Sequence, residues 1–238
     1  MSKGYNQLAF VYQQVDIKPD KRYSIIPTML GIAGDLSGKT VLDMECGSGA
    51  YARAYAEAGA KRVMGIDRME IQVQLAQQQP HPVIECSVGD VFSMKLPRAD
   101  VIDASFVLDS FHKPRQIEIL AERLFRACHP GGRVILAAND PNGHPPRAQV
   151  VRKTLEGPKK DGVQMRVEFE KDGGYICTLQ SHYFSFETIR AAFERVGFSN
   201  VTRHTSMVTE EGYRVCEPGY WDGYAENVEL LFLSADKV

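Results

Sequence analysis

The stretch Val41-Leu42-Asp43-Met44-Glu45-Cys46-Gly47-Ser48-Gly49 decides the fold. Thr40 to Met44 is a short apolar run of strand length, Cys46-Gly47-Ser48-Gly49 is a turn, and the alanine-rich run from about Tyr51 to Ala58 predicts a helix. Glycines in such a turn let backbone amides approach a ligand at a helix N-terminus with no Cβ in the way. Outward from this unit the alternation repeats: strand 62–66, helix 70–78, strands 83–88 and 101–106, helix 116–128 and strand 133–138, the last fed by a Pro130-Gly131-Gly132 turn. Strands alternating with helices predict a mostly parallel sheet covered on both faces.

On the N-terminal side, residues 8 to 34 show helical patterning with a polar break from Asp16 to Asp20, which reads as a helical cap. Beyond the core the period changes to two: Val163, Met165, Val167 and Phe169 alternate with polar residues, Asp172-Gly173-Gly174 reverses the chain, and Tyr175 to Tyr183 returns as a hairpin. Phe186 to Val196 is an amphipathic helix closed by Gly197, strands follow at about 200–207 and 228–234, and 209–227 between them reads as a long loop. One domain over 1–238 is expected, made of a cap (1–37), a ligand-binding core (38–138), an insertion carrying the hairpin (139–185) and a C-terminal helix with strands (186–238).

The 238 residues suit one large α/β domain. A net charge of -2, from 28 basic and 30 acidic side chains without a long basic run, gives no electrostatic footprint for a polyanion, so nucleic acid is disfavoured as a partner. Five scattered cysteines with no Cys-x-x-Cys pair read as reduced thiols, and no metal site is expected. The N-terminus lacks the apolar segment of a signal peptide, and no run reaches membrane-spanning length, so a soluble, cytoplasmic protein is expected. Nothing in the sequence sets the oligomeric state.

Gly47-x-Gly49-x-x-Ala52, with Asp67 about twenty residues on, fits the dinucleotide fingerprint, in which the acid binds ribose hydroxyls. At this point NAD and S-adenosylmethionine both remain open. Context favours the second. Asp43 stands on the first strand, where a dehydrogenase usually has an apolar residue, and the third strand ends Val88-Gly89-Asp90-Val91. The order of Val41 to Gly49, Gly65-Ile66-Asp67, Gly89-Asp90 and Pro130-Gly131-Gly132 resembles the class I S-adenosylmethionine-dependent methyltransferases over about residues 38 to 138. Tyr5-Asn6-x-x-Ala9-x-x-Tyr12, the hairpin and the late aromatic segment Tyr220-Trp221-Asp222-Gly223-Tyr224 are similar, more loosely, to bacterial small-molecule methyltransferases such as the enzyme that methylates the azapteridine toxoflavin.

The resemblance implies a Rossmann-like, doubly wound, seven-stranded sheet with an antiparallel last strand, and methyl transfer to a small acceptor. It implies cofactor contacts from Tyr5, Asp43, Glu45, Cys46, Gly47, Gly49, Asp67, Arg68, Asp90, Val91, Ser105 and Phe106. Glu45 departs from the family pattern, which has glycine there; a β-carbon is tolerable if φ stays negative. Asn139, Tyr175, Tyr183 and Trp221 are candidate acceptor contacts, suited to an aromatic or heteroaromatic ring. His112 is a weak candidate for a general base. Alignment and desolvation carry much of a methyl transfer, so no catalytic triad is required. The rival readings are an NAD-dependent oxidoreductase and a non-catalytic protein that binds S-adenosylmethionine.

Overall fold

Strand β1 (Thr40–Met44) is an inner strand, third from one edge, of a seven-stranded sheet. The computed structural model describes residues 18–142, 151–171, 174–227 and 229–238. β2 (Arg62–Asp67) and β4 (Ala99–Asp103) flank β1, and β3 (Ile84–Val88) and β5 (Cys128–Asn139) lie beyond them, all parallel. β10 (Leu230–Asp236) runs antiparallel between β5 and β9 (Ser199–His204), giving the mostly parallel Rossmann-like sheet expected.

Because both faces are covered, the inner strands β1, β2, β4 and β10 are buried along nearly their whole length rather than alternating, whereas the edge strands β3 and β9 are partly exposed. Val41, Val63, Val101 and Ile135 pack against α1 (Ile26–Ala33) and α2 (Ala50–Glu57) on one face. Leu42, Met64, Ile102 and Val134 meet α4 (Pro114–Ala127) and α5 (Phe186–Arg195) on the other. α3 (Glu70–Gln77) follows β2. The chain winds from β1 out to β3 and returns to β4, so the order reverses between β1 and β4, and a crevice opens at their carboxyl ends.

Several boundaries differ from expectation. β4 stops at Asp103 because Phe106 takes a left-handed φ of 62°, and a 3₁₀ turn (Val107–Ser110) follows. Pro130-Gly131-Gly132 lies inside β5 as an irregularity, where pairing jumps from Ala99↔Cys128 to Val101↔Arg133. The insertion contains the expected hairpin, β7 (Val163–Lys171) paired antiparallel with β8 (Gly174–Tyr183), and adds a strand to it: β6 (Val151–Leu155) pairs with β7, which makes a separate three-stranded antiparallel sheet. The 209–227 loop begins with a helix, α6 (Glu210–Val215), capped by the Thr209 hydroxyl, which accepts from the Gly212 amide. In the cap, a π-helical turn (Lys21–Ile25) runs directly into α1.

Candidate active site

The turn after β1 is wound left-handed at alternate residues, with φ of 55° at Glu45, 53° at Gly47 and 82° at Gly49. Gly49 suits this position, since an L side chain rarely adopts its φ of 82° and a Cβ there would crowd Ala76 Cβ at 3.1 Å. Two contacts tie the turn to the end of β2. The Cys46 amide donates to Ile66 O at 3.2 Å, and the Gly47 amide donates to Asp67 Oδ2 at 2.9 Å. Asp67 Oδ1 accepts from the Met69 amide at 2.8 Å, so the same carboxylate also closes the turn that leads into α3. Each of its oxygens keeps a lone pair for a further donor.

This turn opens on a cavity of about 220 Å³, lined by Asp43 to Ser48, Tyr51, Asp67, Arg68, Met69, Gln72, Ser105, Phe106 and Asp109 among others. Three side-chain oxygens there, Asp43 Oδ2, Glu45 Oε1 and Gln72 Oε1, are buried without a hydrogen-bond partner among the described residues. Burial pushes the Glu45 carboxyl up to about 7, against the pull of Arg68 and with the push of Asp67, Asp109 and Asp90. Burial and the adjacent Asp103 also hold Asp43 well above the usual carboxylate range. Asp103 itself is satisfied: Tyr55 OH donates to Oδ2 at 2.6 Å and the Ser105 amide to Oδ1 at 2.8 Å. Orphaned acceptors around a glycine turn fit a ligand bearing an ammonium group, an adenine or ribose hydroxyls.

A second, inner chamber of about 50 Å³ shares Lys21, Tyr51, Phe106, Asp109 and Leu179 with the first cavity, and adds Asp20, Asn139, Lys153, Phe169 and Glu229. The three-stranded sheet roofs both cavities. It is fastened through Asp109, which accepts from Ser181 Oγ at 2.6 Å and from Asn139 Nδ2 at 2.9 Å.

Of the residues singled out from sequence, Asp43, Glu45, Cys46, Gly47, Asp67, Arg68, Ser105 and Phe106 come together around the larger cavity. Gly49 shapes the turn behind it. The condition set on Glu45 fails, because its φ is positive; the turn's hydrogen bonds to β2 and the left-handed Gly47 beside it hold the backbone there. Asp90 is exposed and does not line the cavity. It closes its own turn, accepting from the Phe92 amide at 2.9 Å and Ser93 Oγ at 3.0 Å. The Val91 side chain is packed into the core.

Asn139 lines the inner chamber, but the other three acceptor candidates line neither cavity. Tyr175 is 69% exposed and donates to Thr178. Tyr183 lies under the Lys159 ammonium, and Trp221 is buried against Tyr220 and Tyr224, with ring centroids at 4.8 and 5.0 Å. His112 is exposed and paired with His182 at 3.0 Å, away from both cavities. Tyr5 and Tyr12 lie outside the described residues.

Gln72, Tyr51, Lys21, Asp20, Lys153 and Glu229 were not anticipated. Gln72, in the first turn of the helix after Asp67, carried a positional signal; Asp20, Lys153 and Glu229, on three distant elements, carried none. No described group of three or more His, Cys, Asp or Glu side chains is arranged to hold a metal ion, and no described helix is long and apolar enough to cross a membrane.

A protein family described as a methyltransferase domain matches residues 18–203. A tRNA U34 carboxymethyltransferase of Idiomarina loihiensis is 33% identical over 142 residues, covering 56% of this chain and 42% of that protein. An uncharacterized protein of Haemophilus influenzae is 37% identical over 70 residues, 29% of this chain and 28% of its own length. The chain thus spans less than half the length of these curated relatives. The crystal structure of an S-adenosylmethionine dependent methyltransferase from Mesorhizobium loti superposes with a TM-score of 0.63 at 18% identity, over 93% of this chain and 99% of that one.

Proposed function

The chain belongs to the methyltransferase-domain family, and from that membership we propose that it transfers a methyl group from S-adenosylmethionine to a small-molecule acceptor. The observation that carries this reading is the left-handed glycine turn, bound to Asp67 and opening on a cavity ringed by orphaned acceptor oxygens. Bound there, S-adenosylmethionine would supply an electrophilic methyl carbon on its sulfonium, to which an acceptor lone pair could bond in line as the carbon–sulfur bond breaks and its electron pair stays on sulfur.

The chain's own residues then have distinct tasks. Asp67 offers its remaining lone pairs to ribose hydroxyls while holding the turn shut. Glu45, in a conformation that costs a non-glycine residue about 1–2 kcal/mol, keeps an unpartnered carboxylate oxygen in the cavity and receives the cofactor's ammonium. Phe106, which lines both cavities, stands between them where donor and acceptor would meet, and Ser105, its Oγ accepting from the Ala137 amide, lines the larger cavity beside it. The three-stranded sheet covers part of that junction through Leu179, which lines both cavities.

With 28 basic against 30 acidic side chains, a polyanionic acceptor has no matching surface charge, which favours a small molecule over RNA. An aromatic or heteroaromatic acceptor draws its support from Tyr51, Phe106 and Phe169 at the inner chamber rather than from Tyr175, Tyr183 and Trp221. Kinship with the toxoflavin-methylating enzymes rests on loose motifs toward the ends of the chain alone. Calorimetric titration tests the proposal: S-adenosylhomocysteine binds and NADH does not. The reverse order of affinity would restore the oxidoreductase reading, and cofactor binding with no turnover across a broad metabolite panel the non-catalytic one.

A further inference from the structure

We propose that the inner chamber anchors the acceptor and that the group it takes is a protonated amine. The inference rests on the methyltransferase reading and names the acceptor's recognition element within it.

Asp20 and Glu229 both line the chamber and are only 4% and 3% exposed. Asp20 Oδ1 and Glu229 Oε2 have no hydrogen-bond partner among the described residues. A buried carboxylate oxygen left without a donor is costly, so the unmet capacity here is for hydrogen-bond donors, and a cationic N–H donor satisfies a carboxylate best. The other charges in the lining are engaged. Asp109 accepts from Ser181 and Asn139, the Lys153 ammonium donates to Glu229 O, and the Lys21 ammonium stands 5.1 Å from the Tyr51 ring centroid.

Asp20, Asp109 and Glu229 set three carboxylates against the two ammonium groups of Lys21 and Lys153, with Lys18 behind Asp20 at 3.9 Å. Lys18 faces Asp20 Oδ2, and neither Asp20 Oδ1 nor Glu229 Oε2 has a donor among the described residues; a ligand ammonium can donate to both, whereas an anion would meet two unpartnered oxygens. Burial pushes the Asp20 carboxyl up to about 6 even against Lys18, as befits an acid short of a cation. Phe106 and Phe169 add aromatic rings to the lining, surroundings that favour a desolvated ammonium. At about 50 Å³ the chamber has room for a few non-hydrogen atoms, enough for an aminoalkyl head, while the rest of the acceptor extends past Phe106 toward the larger cavity.

The test uses three probes of one shape, phenethylamine, phenethyl alcohol and phenylacetate, titrated by calorimetry into the full chain saturated with S-adenosylhomocysteine. Phenethylamine is expected to bind about tenfold or more tightly than either counterpart. Glu229→Gln and Asp20→Asn should each erase most of that preference, with S-adenosylhomocysteine affinity and circular dichroism unchanged; if one variant fails to fold, the other decides. Equal or tighter binding of phenylacetate, no measurable binding of phenethylamine, or a preference that survives both substitutions overturns the assignment. Failure of S-adenosylhomocysteine itself to bind brings down instead the reading on which the inference rests.

Discussion

The two cavities are built in opposite ways. The larger is made by one local device, a strand, a left-handed turn and the acid at the end of the next strand, all within residues 43 to 72 apart from the wall at Ser105 to Ser110, Lys21 and the roof. The inner chamber is assembled from Asp20, Asp109, Asn139, Lys153, Phe169 and Glu229, which stand on elements scattered over some two hundred residues of chain. A ligand held through backbone geometry leaves a spaced motif; one held by side chains that converge only on folding leaves none. Recognition of the cofactor can therefore be shared widely across a fold while acceptor choice is rebuilt on its periphery.

The largest expected effect tests whether the aromatic segment belongs to the second cavity or merely supports it. Trp221 packs on Tyr224, and Tyr224 lies close enough to Asp20 and Glu229 for their charges to help raise its hydroxyl pKa, behind burial. Trp221→Ala should cost about 3–5 kcal/mol of stability in denaturant melts, as a buried ring lost from a packed stack does. Full stability with lost acceptor turnover would return Trp221 to the recognition surface. Next in size, Asp67→Ala should weaken cofactor binding by about 1–3 kcal/mol through loss of charge-assisted hydrogen bonds and of the tie to Gly47. Calorimetry showing unchanged affinity would reduce Asp67 to a scaffold for the turn.

The same contrast explains what could be read before folding. The sheet was legible because both-face burial leaves apolar strands between helices, and Asp43, Gly47 and Asp67 were legible because the turn spaces them. β6 was not, since the inward position between Val151 and Leu155 is Lys153, which breaks the apolar alternation at the point where it contributes to the chamber. α6 went unread although Thr209 followed by Glu210 and Glu211 is a recognisable helix start. Tyr175 and Trp221 misled because an aromatic residue's type does not reveal whether it faces a ligand, the core or solvent.

Glu45 belongs to the legible cavity yet breaks its pattern, and its titration sharpens the difference. Its carboxyl is raised from 4.5 to about 7, chiefly by burial. The folded chain therefore holds a proton that the unfolded chain has released over that interval. The resulting stability is present in full below about pH 4.5 and is lost as pH rises through about 7. Glu45→Gln removes this dependence, so the melting temperature of the variant relative to the parent should climb between pH 5 and pH 8, by an amount worth roughly 1–3 kcal/mol. A constant difference across that range would mean that the carboxylate is solvated.

Glu45→Gly restores the residue that the family pattern places in the turn, and it separates strain from function. Glycine adopts a φ of 55° without steric cost, so the variant should gain about 1 kcal/mol of stability at neutral pH, where the buried carboxylate also ceases to be a burden. If the unpartnered Oε1 receives the cofactor's ammonium, the same variant should bind S-adenosylmethionine about tenfold or more weakly. Stability and affinity would then move in opposite directions, as happens where backbone strain is kept for a ligand's sake. A variant that gains stability and keeps its affinity within a factor of about two would show that the strained carboxylate does no binding, and that the larger cavity recognises its cofactor by the glycine turn and Asp67 alone.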